Sequence, residues 1–145
     1  MGFLKFGKKA AAAKAGLKKL ENRDLMEAIV YGSVLVAAAD GELEAPELAR
    51  IEAIIQTNDK LNHFGGEASV LIAKCKDKFE EVGFGVLKME AKRQISDVKS
   101  SEEEREEVFA NIIAVAMADG EIEDSERKVL EEIGRLLNLR IEDWL

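Results

Sequence analysis

Residues 37–54 and 116–133 carry one pattern twice. At an offset of 79 residues, nine of eighteen aligned positions are identical: Ala37, Ala39, Asp40, Gly41, Glu42, Glu44, Glu47, Glu52 and Ile54 recur as Ala116, Ala118, Asp119, Gly120, Glu121, Glu123, Glu126, Glu131 and Ile133. Average composition would produce about one match over that length. Leu43 with Ile122 and Ile51 with Leu130 add conservative pairs. In each copy an apolar stretch runs into Asp-Gly, where glycine ends a helix by taking the left-handed conformation without a side-chain clash. A second stretch of helical period starts a few residues later, "APELARIEAIIQ" and "SERKVLEEIGRLLNL". The repeated unit is therefore a helical hairpin. A period of 79 residues is too long for a solenoid, so the expectation is two hairpins packed about a pseudo-twofold axis with their acidic corners close together.

The rest of the chain reads as helix as well. "DLMEAIVYGSVLVAAAD" starts at Asp24, a natural N-cap, and "SSEEEREEVFANIIAVAMAD" starts at Ser100 or Ser101 with acid in its first turn. "GGEASVLIAKCKDKFEEV" and "GVLKMEAKRQISDV" form two further amphipathic helices between the hairpins, divided at Gly83 to Gly85. No stretch alternates at period two. The predicted fold is all-α, a compact bundle of two pseudo-twofold-related hairpins with two helices between them. Residues 24–145 make one domain and residues 1–23 a basic arm. Trp144 is placed to hold the C-terminus on the body.

Charge divides along the same boundary. Residues 1–23 hold seven basic side chains against Glu21, a net of +6; subtracting this from the chain total of −8 leaves −14 for residues 24–145. An acidic body repels phosphates and attracts cations, which argues against nucleic acid as a partner. The arm interleaves Phe3, Leu4, Phe6, Leu17 and Leu20 with lysines. It reads either as an amphipathic helix lying on an anionic membrane or as a solvated arm. Its apolar residues fall in single-turn clusters on either side of an alanine stretch and make no continuous face, which favours the solvated arm, with weak or no direct membrane contact. No run approaches the ~20 apolar residues of a membrane span, no secretion signal is present, and Cys75 has no cysteine to pair with, so a reducing cytoplasm is the expected location.

Two explanations compete for the acidic corners. The first is capping. Glu44 and Glu123 precede the second helix of each hairpin, and Glu47 and Glu126 stand three residues later, where a capping-box carboxylate reaches back to a backbone N–H. Capping does not call for Glu42 and Glu121, nor for Asp40 and Asp119 at the negative end of the preceding helix, where an acid is disfavoured. The second explanation is a hard cation. Asp40-Gly41-Glu42-Leu43-Glu44, then Glu47, follows the second half of an EF-hand loop, but Val36 and Ala38 are apolar where the first half supplies oxygens. One corner cannot reach the six to eight oxygens that calcium takes, whereas two facing corners can. The candidate ligands are Asp40, Glu47, Asp119 and Glu126, supported by Glu42, Glu44, Glu121 and Glu123. Zinc is disfavoured: His63 and Cys75 are the only nitrogen and sulfur candidates, and both read as packing or surface residues.

With its lysine-rich start, twin "ADG" corners each followed by an acid seven residues on, and the run "LEEIGRLLNL", the chain resembles the bacterial tellurite-resistance protein B family, TerB. The resemblance implies a cytoplasmic all-helical protein tied to tellurite and stress resistance. It also implies metal binding through an acidic surface and protein partners in a resistance complex that includes a membrane protein, which would place it at the inner face of the membrane. The family's acids map onto Asp40, Glu47, Asp119 and Glu126. Ala45 departs from the more acidic stretches of family members, while Asp124 keeps an acid in the second copy.

No catalytic grouping of serine, histidine and acid, no phosphate loop and no cysteine pair is present, so the chain does not read as an enzyme. The leading functional expectation is a non-enzymatic module in which a divalent cation, calcium foremost, neutralises the corners and changes what the surface binds. The alternative is a constitutive acidic scaffold for protein interaction, with the corners serving as caps.

Overall fold

A computed structural model describes residues 8–98 and 101–145, with side chains from Asn22 onward except that of Asp119. Among the described residues six α-helices carry the fold: α1 (Lys8–Ala37), α2 (Ala45–Thr57), α3 (Gly65–Val82), α4 (Phe84–Ser96), α5 (Glu102–Ala116) and α6 (Asp124–Leu137). No strand occurs among the described residues. The all-α bundle expected from the helical periods is the fold observed.

Helix α1 is the axis of the bundle and packs against every other α-helix. Its second half explains why: Leu25, Met26, Ala28, Ile29, Val30, Val34, Leu35 and Val36 are all buried, so the helix is apolar around most of its circumference. Such a helix has no solvent face to present and belongs in the centre. Helix α5, its partner under the repeat, buries Val108, Phe109, Ile112, Ile113, Val115 and Ala116 against it. The two approach closely at Gly32, where a Cβ would run into the Ile112 side chain. Helices α2 and α6 are amphipathic and cover the outside, α2 through Ile51 and Ile55 and α6 through Val129, Leu130, Ile133 and Leu137. Contacts follow the pseudo-twofold relation: α1 packs on α6 as α5 packs on α2.

One local expectation fails. Asp24 caps nothing, because α1 already begins at Lys8 and continues through it. The residues ahead of Asp24, "KKAAAAKAGLKKLENR", are mostly strong helix formers with no proline, so nothing halts the helix for a new cap to restart it. The side chains of residues 1–21, which include the apolar and lysine residues of the arm, lie outside the described residues.

Other local expectations hold. Ser101 is the N-cap of α5, its Oγ accepting from the Glu104 N–H at 3.1 Å. Gly83, at φ 88°, separates α3 from α4. Trp144 packs edge-on against Phe109, ring centroids 5.6 Å apart, and docks the C-terminus on the core.

Candidate functional site

Each acidic corner is built by short-range hydrogen bonds. Helices α1 and α5 tighten into single 3-10 turns, Ala38–Asp40 and Met117–Asp119, that end on Gly41 at φ 91° and Gly120 at φ 86°. The glycine N–H donates to Ala38 O at 3.0 Å in one copy and to Met117 O at 2.9 Å in the other. In the first corner Asp40 Oδ1 accepts from the Glu42 N–H at 2.9 Å, so this acid closes its own turn. The chain then extends through Glu44 and Glu123 and enters α2 and α6 by matching capping boxes: Glu47 Oε1 accepts from the Glu44 N–H at 2.9 Å and Glu126 Oε1 from the Glu123 N–H at 3.0 Å. The capping roles read from the spacing are those observed.

Packing brings the two corners together. One cavity of about 10 Å³ is lined by Val36 and Val115, Ala37 and Ala116, and Glu47 and Glu126, three pairs related by the 79-residue offset. It has about the room of a single water molecule. Burial pushes the Glu47 carboxyl above the ordinary glutamate value; the Glu44 N–H works in the opposite direction, and the charges of Asp40, Glu44 and Glu126 add to the rise. Asp40, Glu42, Glu44, Glu121 and Glu123 stand exposed around this half-buried pair. The Asp119 side chain, a proposed ligand, lies outside the described residues.

The seventh lining residue is Arg50. Reading the corners as a set of acids missed it, yet it is the positive group that a cluster of carboxylates at a helix end calls for. Its signal in the sequence is position: Arg50 is three residues after Glu47, on the same face of α2. The counterpart of Arg50 under the repeat is Val129, so the cation is supplied from one side of the pseudo-dyad only.

As a metal site the corners fit in kind and fall short in number. Glu47, Glu126 and Asp40 are hard carboxylate donors of the kind that suits calcium or magnesium. Among the described residues, however, no three His, Cys, Asp or Glu side chains converge as a metal-holding group. His63 is a surface residue and Cys75 a packing residue. The His63 ring lies against Phe64 with centroids 4.0 Å apart, and Cys75 is buried, its thiol pushed up to about 12 by desolvation. A thiol so placed is a poor nucleophile.

Residues 26–145 match the family model described as "Tellurite resistance protein TerB". No curated protein and no solved structure matches the chain.

Proposed function

The chain belongs to the TerB family of tellurite-resistance proteins, and on that premise we propose that it is a non-enzymatic, cation-responsive binding module whose working surface is the end of the bundle where the two acidic corners meet. The observation that carries this reading is the placement of Glu47 and Glu126 on one cavity. Two carboxylates held together repel one another, and a divalent cation that neutralises both favours the paired arrangement over looser ones. Glu47 and Glu126 are the central ligands. Asp40, Asp119, Glu42, Glu44, Glu121 and Glu123 complete the donor set together with water, since two capping carboxylates alone do not make a calcium shell. Arg50 lines the same cavity, so an incoming cation competes with a guanidinium already there. The protein acts in the cytoplasm within a resistance complex that includes a membrane protein, and the charge state of this end sets what it docks.

A second reading is favoured by Arg50 and the capping boxes themselves: with the acids already hydrogen-bonded and a cation built in, the acidic end serves as a constitutive docking face for a basic protein surface. Calcium titration separates the two. An increase in melting temperature beyond that produced by matched ionic strength supports the cation module. Absence of calcium, magnesium and manganese binding by calorimetry at millimolar concentration sinks it and leaves the docking face.

A further inference from the structure

Away from the acidic corners, α1, α3 and α4 enclose a cavity of about 140 Å³ lined by Tyr31, Lys74, Lys78, Glu90, Arg93 and Gln94. Helical spacing aims these side chains at one place: Lys74 and Lys78 are one turn apart on α3, and Glu90, Arg93 and Gln94 lie within one turn on α4. The lining carries three cations against one carboxylate, a local charge of +2 in a body whose net charge is −14. Lys78 Nζ bonds Glu90 Oε1 at 2.7 Å. Lys74 and Arg93 make no ion pair among the described residues. Tyr31, from the central helix, is only 7% exposed, and its hydroxyl has no hydrogen-bond partner among the described residues. The hydroxyl lies on the lining of the basic cavity and is available to donate into it.

We propose that this cavity is a binding site for a small oxyanion, with Lys74, Lys78 and Arg93 supplying charge and Tyr31 and Gln94 supplying neutral donors. Arginine and lysine together with an O–H and an amide N–H provide the directional donors that a tetrahedral or pyramidal oxyanion accepts from several sides. Chloride offers no such set of acceptors. Burial raises the Tyr31 hydroxyl to about 12, so it stays protonated and donates at neutral pH. Glu90 is the resident competitor: it holds Lys78 and opposes an entering anion, and its own carboxylate occupies the position that an anion's oxygen takes in its absence. The site shares no residue with the acidic corners and stands or falls separately from the cation reading.

The test is calorimetric titration of the full chain with inorganic phosphate, sulfate and tellurite, each at constant ionic strength set with chloride. Saturable binding is expected for at least one of the three. Binding of tellurite alone identifies the site with the resistance oxyanion, and binding of phosphate identifies it with phosphate-bearing ligands in general; either supports the site. In K74Q/R93Q, two exposed positions whose change leaves the core intact, affinity falls at least about tenfold, the loss of a charge-assisted hydrogen bond. Tyr31→Phe weakens binding with helicity by circular dichroism unchanged, and Glu90→Gln strengthens it. The proposal is overturned if no oxyanion binds beyond the chloride control, or if binding survives unaltered in K74Q/R93Q.

Discussion

Glu47 and Glu126, 79 residues apart in sequence, line one cavity of about 10 Å³ while each accepts a hydrogen bond from the backbone three residues before it. Two side chains with the same local task thereby become neighbours across a pseudo-dyad. Their coupling is measurable. D40N/E47Q should weaken calcium binding sharply, and adding D119N/E126Q should cost less than the sum of the two separate effects, because both pairs serve one site. Two separable binding events, each lost with its own corner, would show independent sites instead. Arg50→Gln should raise calcium affinity and lower the melting temperature of the metal-free protein, since it removes the cation that offsets the pair; unchanged affinity would exclude competition by Arg50.

Gly32→Ala should destabilise the protein by about 1–3 kcal/mol. The new methyl group meets Ile112, which is fully buried and has no open space to turn into, at the close approach of α1 to α5. Alanine is the better helix former by roughly 1 kcal/mol. A net stabilisation in urea denaturation would mean that the α1–α5 contact is looser than the packing described.

Ser33→Ala should act in the other direction. Ser33 is fully buried in α1, and its Oγ has no hydrogen-bond partner among the described residues. Removing an unsatisfied buried hydroxyl recovers its desolvation cost, roughly 1 kcal/mol or more. Chemical denaturation of the variant should give a higher midpoint with an unchanged slope; a lower midpoint would reveal a partner for the hydroxyl.

Stability should depend on pH through groups of opposite sign. Burial, and then the charges of neighbouring acids, raise Asp24 and Glu27 above their ordinary values. The folded protein therefore binds these protons more tightly than the unfolded chain, and their penalty is relieved as pH falls from neutral through the folded values. Glu132 runs the other way. The hydrogen bond from Lys88, with further support from Lys92, holds it below its ordinary value, so its stabilisation is present above the unfolded value and is lost as pH falls through the lowered one. In D24N/E27Q the gain on mild acidification should shrink to the share of Glu47, which burial also raises, while the loss at lower pH remains. A melting-temperature profile identical to wild type would contradict the assignment.

The duplicated hairpin, its glycine stops and its capping boxes were legible in the sequence because each rests on hydrogen bonds spanning two to four residues, and spacing encodes such bonds directly. The start of α1 was less legible. A capping residue such as Asp24 has meaning only where the preceding chain is not already helical, and the alanine and lysine residues before it propagate the helix. The pairing of Glu47 with Glu126 was suggested by the repeat, but which cation shares their cavity was not. Arg50 has no counterpart in the second copy, so the symmetry argument passes over it. The basic cavity was invisible for a stronger reason. Tyr31, Lys74 and Arg93 belong to three helices and share no local pattern, and each alone reads as an ordinary residue of an amphipathic or buried helix. Their convergence depends on the rotation and depth at which α3 and α4 seat on α1, which are set by interlocking of buried side chains across the interface.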